Sequence, residues 1–172
     1  RTACAATGTE YLRLLRRESP LPENCVYAEN AAQAAQKLGE IPGNVLLTTG
    51  SKELSVFGAL PDFAQRCYAR VLPGEESMRA CREAGLPASH IYAMQGPFSL
   101  EMNLAQLHSC NASVLVTKEA GAKGGFPEKA QAAAQAGVTL LVIGRPAQAE
   151  GMDFPHMAAL LAQRYGFSPV PA

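Results

Sequence analysis

Several short segments combine glycine with hydroxyl, amide or cationic side chains, the residue types that hold anionic and polar ligands. Glycine lets the backbone approach a ligand, while hydroxyls, helix N–H groups and lysine can bind phosphate or carboxylate oxygens. The first segment follows an apolar run and contains neither G-x-x-x-x-G-K-[ST] nor G-x-G-x-x-G. A serine-capped helix after a tight turn is the alternative interpretation. The predicted anion-binding residues are Thr48, Thr49, Gly50, Ser51 and Lys52.

A second candidate anion-binding loop spans residues 117–125. It holds three glycines and two lysines between an apolar run and a helical pattern. A cationic, flexible loop at the positive end of a helix suits phosphate or carboxylate groups. The candidate residues are Thr117, Lys118, Gly121, Lys123, Gly124 and Gly125.

Two further segments present polar side chains where buried strands are expected to end. In the first, polar groups accompany an aromatic ring that can lie against a flat ligand; the alternative is a Gly-Pro turn with the ring in the core. In the second, Arg145 can offer a forked donor to an anion, or lie in solvent. The candidates in the first segment are Gln95, Gly96, Pro97, Phe98, Ser99, Glu101 and Asn103.

Other catalytic chemistry lacks a local signature. The three histidines are far apart, and neither H-E-x-x-H nor G-x-S-x-G occurs, so we predict no metal site and no serine nucleophile. A receiver-like phosphotransfer domain shares the expected element order but needs an acidic cluster after its first strand. We therefore leave the catalytic residues unassigned.

Alternating strand and helix patterns indicate how these segments are positioned. From residue 24 onward, short β-branched runs alternate with Ala-rich or amphipathic stretches, which is typical of successive βα units. We predict an α/β fold, a Rossmann-like (flavodoxin-like) parallel sheet with helices on both faces. Ligands of such sheets lie beyond the carboxyl ends of the strands. The predicted strands are 25–28, 45–49, 67–72, 90–94, 113–117 and 138–143, and the predicted helices are 31–38, 75–84, 127–136 and 154–165.

Composition narrows the class of protein. The 172 residues carry 15 basic and 15 acidic side chains, so overall charge offers no attraction to nucleic acid or to a membrane surface. The apolar runs are too short to span a membrane. Five scattered cysteines without a C-x-x-C pair favour free thiols and a cytoplasmic protein.

The ordered set of motifs resembles the precorrin-6A reductase family of cobalamin biosynthesis, including its cobalt-precorrin-6A reductases. The resemblance spans essentially the whole chain and rests on five motifs in the same order. They are Asn44 to Leu54, Arg70-Val71-Leu72-Pro73, Gln95 to Ser99 with Glu101 and Asn103, Val116 to Gly121 with Gly124, Gly125 and Lys129, and Val142-Ile143 with Arg145-Pro146.

The resemblance implies an oxidoreductase that uses NADPH or NADH to reduce a double bond in precorrin-6A or its cobalt complex. We predict that the loops at 48–52 and 117–125 bind the cofactor, although which of them holds cofactor phosphate and which holds tetrapyrrole carboxylates stays open. The predicted substrate-binding residues are Gln95 to Ser99, Glu101, Asn103 and Arg145. Water, Glu101 or Lys118 could deliver the accompanying proton.

The family fold has two Rossmann-like lobes with a cleft between them. By that resemblance we expect residues 24–172 to be the C-terminal lobe, and residues 1–23 to be a remnant or linker from a missing N-terminal lobe. Whether such a fragment turns over substrate alone stays open. The alternatives are a non-catalytic module that binds a nucleotide or tetrapyrrole, and a nucleotide-sugar-binding lobe of a transferase.

Overall fold

The computed structural model describes residues 1–15, 20–119, 124–144 and 151–166. The chain divides into two compact units, one formed by Ser19–Pro146 and one by Arg1–Glu18 with Ala147–Ala172. The sequence places residues 24–172 in one domain, whereas the structure groups the last helix with the N-terminal segment. The expected lobe boundary at residue 23 therefore stays a prediction.

The larger unit contains a six-stranded sheet in which every pair of neighbouring strands is parallel. This confirms the predicted α/β, Rossmann-like fold class, and each predicted strand is present with ends shifted by at most two residues. The strands are β1 (Val26–Ala28), β2 (Asn44–Leu47), β3 (Cys67–Val71), β4 (Ile91–Ala93), β5 (Ala112–Lys118) and β6 (Thr139–Ile143).

Helices connect the strands. The first helix of this unit begins as predicted, because the Asn30 side chain accepts a hydrogen bond from the Gln33 backbone N–H (2.9 Å). No helix in the described residues combines the length and apolarity that a membrane span requires. The helices are α2 (Ala31–Leu38), α3 (Leu54–Phe57), α4 (Phe63–Arg66), α5 (Glu75–Glu83), α6 (Leu100–Ser109) and α7 (Phe126–Ala136), with a 3-10 turn at Ala88–His90.

The sequence prediction lacks α4 and α6, and it gives α3 only as a helix that follows the loop at 48–52, without bounds. Helices α3 and α4 have four residues each, too few to show a helical period. Helix α6 has ten residues, but two of its three buried positions are the polar Asn103 and Gln106. The inner face of α6 also carries Leu100, Leu104 and Leu107, so the two amides interrupt the apolar stripe by which amphipathic helices are predicted.

The sheet separates two apolar cores. Alternate residues of a strand point to opposite faces, so Val45 and Leu47 pack with α2 to α5, while Leu46 packs with α6 and α7. Each core contains strand residues that are fully buried, and burying a Leu or Phe side chain stabilises the fold by about 1.5–3 kcal/mol. This double coverage explains why the central strands are continuously apolar.

The order of the strands sets the position of a crevice. The sheet runs β1-β6-β5-β2-β3-β4, so the chain builds outward from β2 to β4 and then returns to place β5 on the other side of β2. The connections after β2 and β5 therefore leave the sheet in opposite directions. In open α/β sheets, ligands bind beyond the carboxyl ends of the strands at such a switch point.

The smaller unit contains α1 (Thr2–Thr7) and α8 (Phe154–Tyr165). Helix α8 occupies its predicted range and is capped by Asp153, whose side chain accepts from the His156 backbone N–H (3.0 Å). A parallel bridge joins Leu14 to Met152, and Glu10 forms an ion pair with Arg164. These contacts explain why the last helix groups with the start of the chain.

Glycine 43 provides a test of the loop before β2. Its φ is +91°, and a Cβ there would lie 2.7 Å from Ser113 Cβ. We expect Gly43→Ala to lower the free energy of unfolding by about 3 kcal/mol, from backbone strain and overpacking. Gly137→Ala, at φ +66° with open space around it, should cost only about 1 kcal/mol. Urea denaturation measures the free energy of unfolding of both variants. Equal losses of stability in the two variants would contradict the steric argument. Adding Ser113→Gly to Gly43→Ala should recover part of the stability that Gly43→Ala loses beyond Gly137→Ala.

Candidate functional site

A cleft of about 520 Å³ lies at the carboxyl ends of the strands, entirely within the sheet unit. Its walls come from the segments that follow β2, β3, β4 and β5. Polar and cationic groups occur beside apolar ones. The lining residues are Thr48, Thr49, Gly50, Arg70, Val71, Leu72, Met94, Gly96, Pro97, Phe98, Gly124, Gly125 and Lys129.

Arg70 is the central charged group of this cleft. It belongs to β3 and is only 6% exposed. Its Nη1 donates to Asn103 Oδ1 (2.9 Å) and to Gln106 Oε1 (2.7 Å), and its guanidinium carbon lies 3.9 Å from the centre of the Phe98 ring. Burial lowers the pKa of Arg70 to about 10, so the side chain is cationic at neutral pH.

Lys129 adds a second buried cation. It is 8% exposed, and its Nζ donates to the Gly124 carbonyl (2.8 Å), which ties the first turn of α7 to the preceding loop. Burial and, to a smaller extent, the Arg70 charge lower the pKa of Lys129 to about 8, against the opposing effect of the Glu128 carboxylate. Lys129 thus carries its charge at neutral pH, although its environment disfavours that charge.

Two cations and few compensating anions make the cleft suitable for an anionic ligand. Among the described residues, neither Arg70 nor Lys129 has an acidic side chain within ion-pair distance. Buried charges normally require a partner of opposite charge. The start of helix α7 adds its positive end at Gly125, which also lines the cleft.

The two threonines of the loop after β2 have different roles. Thr48 Oγ1 donates to the Val116 carbonyl (2.7 Å), so this hydroxyl holds the loop to β5. Thr49 Oγ1 is buried and has no hydrogen-bond partner among the described residues. Gly50 has φ +81° with nothing near the position of a Cβ, which leaves the backbone accessible from the cleft. Thr49 and Gly50 are therefore the members of this loop that are available to contact a ligand in this cleft.

The structure brings eight of the predicted site residues together in the cleft. They come from three different loops, which the sequence alone could not show to be adjacent. Gly121, Lys123 and Arg145 lie outside the described residues. The eight residues are Thr48, Thr49, Gly50, Gly96, Pro97, Phe98, Gly124 and Gly125.

Lys118 and Thr117 are not part of the cleft lining. Lys118 Nζ lies 2.8 Å from Glu53 Oε2, an ion pair between the end of β5 and the loop after β2. Thr117 is fully buried, and its hydroxyl donates to the Lys118 carbonyl (3.3 Å). In the structure both residues support the switch point rather than the cleft wall.

Ser51 and Lys52 line a second cavity of about 630 Å³ on the other side of Leu72. The Ser51 hydroxyl donates to the Ser77 hydroxyl (3.3 Å), and Glu76 also faces this cavity. Leu72 borders both cavities. The predicted loop 48–52 is thus shared between two adjacent cavities.

Four other predicted residues lie outside the cleft lining. Ser99 is the N-cap of α6 and accepts from the Met102 backbone N–H (3.3 Å). Glu101 is exposed, and a hydrogen bond with the Ser99 side chain lowers the pKa of its carboxyl. Gln95 is also exposed, and Asn103 is buried behind Arg70. Asn103 therefore reaches the cleft only through the arginine that it holds.

Sequence reasoning gave no role to Arg70, Lys129 or Gln106. Arg70 and Lys129 occur in the motifs of the family resemblance without an assignment, and Gln106 lies in none of these motifs. One signal was present: an arginine in the run Cys67–Val71, which is otherwise apolar or aromatic and belongs to a strand covered on both faces. Such a buried charge indicates a polar partner or a ligand.

Comparisons with known proteins give matches within one family. Residues 1–163 match the family model described as "Precorrin-6x reductase CbiJ/CobK". The chain is 39% identical over 167 residues to the "Cobalt-precorrin-6A reductase" of Salmonella typhimurium, covering 94% of this chain and 63% of that protein. It is 37% identical over 147 residues to the protein of the same name from Priestia megaterium, covering 84% and 58%.

A solved structure has the same fold. The protein named "CobK precorrin-6A reductase" superposes with a TM-score of 0.73 at 25% sequence identity, covering 95% of this chain and 66% of that one. The chain spans 48–63% of the length of three curated relatives that it matches, from Salmonella typhimurium, Priestia megaterium and Methanothermobacter thermautotrophicus.

The lowered pKa of Lys129 predicts a specific pH dependence of stability. The folded protein releases this proton near pH 8, whereas the unfolded chain keeps it to about 10.5, so the unfolded state binds more protons between these values. The Lys129 contribution to the free energy of unfolding should therefore rise with pH over this window, by about 2 kcal/mol. Urea denaturation of the wild type and of Lys129→Met at pH 7 to 10 measures the difference. Lys37→Met, on α2, is the control; equal pH profiles for the wild type and Lys129→Met would contradict the assignment.

Proposed function

The chain belongs to the precorrin-6x reductase family, and from this premise we propose that it acts in the reduction of a ring double bond of precorrin-6A or cobalt-precorrin-6A with NADPH or NADH. The observation that carries the proposal is the cleft at the switch point of the sheet, where Arg70 and Lys129 present two buried positive charges. We also propose a cytoplasmic location, because the five free thiols of the chain suit a reducing environment.

The tetrapyrrole matches the chemistry of this cleft. Precorrin-6A carries several acetate and propionate groups around a flat, largely apolar ring. Arg70 can present a forked donor to one carboxylate, and Lys129 can add a point charge. Leu72, Met94 and Phe98 supply apolar surface in the same cleft. We propose that the cations bind the peripheral carboxylates while these apolar side chains contact the ring.

The residues of the cleft also fit a nicotinamide cofactor. The Thr49 hydroxyl, which has no hydrogen-bond partner in the described part of the chain, can hold a phosphate oxygen, as can the open backbone at Gly50 and the glycines before α7. When bound, the reduced nicotinamide supplies the hydride. We assign the loop at 48–52 to this cofactor, with its Ser51 and Lys52 reaching it from the neighbouring cavity.

Positioning accounts for the part of the reaction that this chain performs. Arg70 and Lys129 orient the substrate, and the apolar residues exclude water from the reacting face, so the two molecules meet at short range. A carbon next to the hydride acceptor must also gain a proton. Because Glu101 is exposed and Lys118 is paired with Glu53, we propose that solvent water at the cleft mouth supplies it.

Binding titrations test this function. The chain is titrated separately with NADPH, NADH and cobalt-precorrin-6A, and the loss of nicotinamide absorbance is followed after mixing cofactor with tetrapyrrole. We expect the wild type to bind the tetrapyrrole and one of the two cofactors. Binding of both without hydride transfer would favour a non-catalytic binding module, and binding of neither would contradict the proposal.

Substitution of the two cations should weaken binding. Arg70→Met and Lys129→Met each remove a charge-assisted contact and should raise the Kd of the tetrapyrrole at least about tenfold, or about 1.4 kcal/mol. Lys37→Met, which removes a charge outside the cleft, should leave the Kd unchanged. Circular dichroism confirms folding of each variant. Equal affinities in all four proteins would remove the cleft from the binding site.

A further inference from the structure

Asn103 and Gln106, which contact Arg70 from behind the cleft, are both uncharged, and the proposed function does not account for this. We infer that Asn103 and Gln106 are positioning residues whose amide oxygens fix the Arg70 guanidinium without cancelling its charge, so that the cleft selects ligands bearing a carboxylate or phosphate. The ligand of this cleft must therefore carry a negative charge. The inference rests on the proposed function only for the identity of that ligand.

The choice of partners is unusual for a buried arginine. A carboxylate is the usual partner of a buried guanidinium, since it offsets the cost of removing the charge from water. Both oxygens that Arg70 Nη1 contacts belong to uncharged amides, at 2.9 Å and 2.7 Å. Amides satisfy the hydrogen bonds and leave a full positive charge in place.

The amide orientations are determined by their other contacts. Asn103 Nδ2 donates to the Ser99 carbonyl (2.8 Å), and Gln106 Nε2 lies 3.1 Å from the Met94 sulfur. Each NH₂ group therefore has an acceptor of its own, and each oxygen is turned toward Arg70. Both side chains are nearly inaccessible to solvent, so they act on the cleft through the arginine.

The remaining surroundings of Arg70 restrict how a ligand approaches. The Phe98 ring covers one face of the guanidinium at 3.9 Å. In the described part of the chain, the Nη1 bonds to Asn103 and Gln106 are its only side-chain hydrogen bonds. The free N–H groups can therefore donate in the guanidinium plane to a planar carboxylate or to two phosphate oxygens.

Lys129 strengthens the requirement for an anion. Its pKa is lowered in part by the Arg70 charge, which shows that the two cations interact. An anion placed between them would relieve this repulsion. An acidic residue in place of Gln106 would instead pair with Arg70 internally and remove the reason to bind a ligand anion.

Two substitutions at one position separate positioning from structural support. Gln106→Glu keeps the shape and the hydrogen bond to Arg70 but neutralises its charge. Gln106→Leu keeps the charge but loses one acceptor. Gln36→Glu, on the exposed side of α2, adds the same charge elsewhere. Affinity is measured for pyrophosphate, citrate, NADPH and cobalt-precorrin-6A, so that phosphate and carboxylate sources are distinguished, and stability is measured by urea denaturation.

We expect Gln106→Glu to unfold at the same or higher urea concentration than the wild type, yet to bind at least one of these anions about tenfold more weakly. Gln106→Leu should lose less affinity despite lower stability, and Gln36→Glu should match the wild type. If Gln106 had only a structural role, Gln106→Leu would bind anions more weakly than Gln106→Glu. That result, or equal affinities of the two variants, would overturn the inference. If Gln106→Glu does not fold, Asn103→Asp is judged by the same criterion, and failure of both to fold also overturns it.

The outcomes distinguish this inference from the proposed function. Loss of pyrophosphate or citrate binding in Gln106→Glu, with no binding of NADPH or tetrapyrrole to the wild type, would support the inference and contradict the reductase. If the wild type binds NADPH and the tetrapyrrole and Gln106→Glu binds all ligands equally well, the reductase proposal would be supported and the inference contradicted. A wild type that binds none of the four anions would overturn both.

Discussion

A single arginine inside a covered sheet imposes most of the arrangement around the cleft. Arg70 lies in β3, between apolar strand neighbours, where an unsatisfied charge would cost several kcal/mol. Helix α6 meets this demand with Asn103 and Gln106 on its inner face, and Phe98 covers the guanidinium before the helix begins. The two amides on the inner face of α6, the position of Phe98 and the charge of the cleft are all organised around this one buried side chain.

The topology of the sheet places the other components around that charge. Because the strand order changes direction between β2 and β5, their following loops separate and leave a crevice. Thr48 and the Lys118–Glu53 ion pair hold the two sides of this switch point together. Residues from four βα connections can then share one cleft, although they are separated by up to about 80 positions in the chain. The proposed anion-binding site thus needs no long glycine-rich fingerprint.

The stability of the cleft and its affinity for anions oppose each other. Burial lowers the pKa of both Arg70 and Lys129, and the Arg70 charge also lowers the pKa of Lys129, so the unliganded fold disfavours the charged forms of both side chains. The same unfavourable charges favour an anionic ligand, because binding relieves them.

Local patterns in the sequence determined the fold class. Continuous apolar runs predict buried parallel strands, and the Asn30 and Asp153 caps predict where helices begin, because these signals depend on neighbouring residues alone. Thr49, Gly50 and Gly96 were found as candidates for the same reason. Only the tertiary structure decided that Lys118 pairs with Glu53, that Ser51 faces a second cavity, and that Asn103 serves Arg70. These outcomes depend on contacts between residues 26 to 65 positions apart, and contacts over such distances are set by chain packing, which no local pattern encodes.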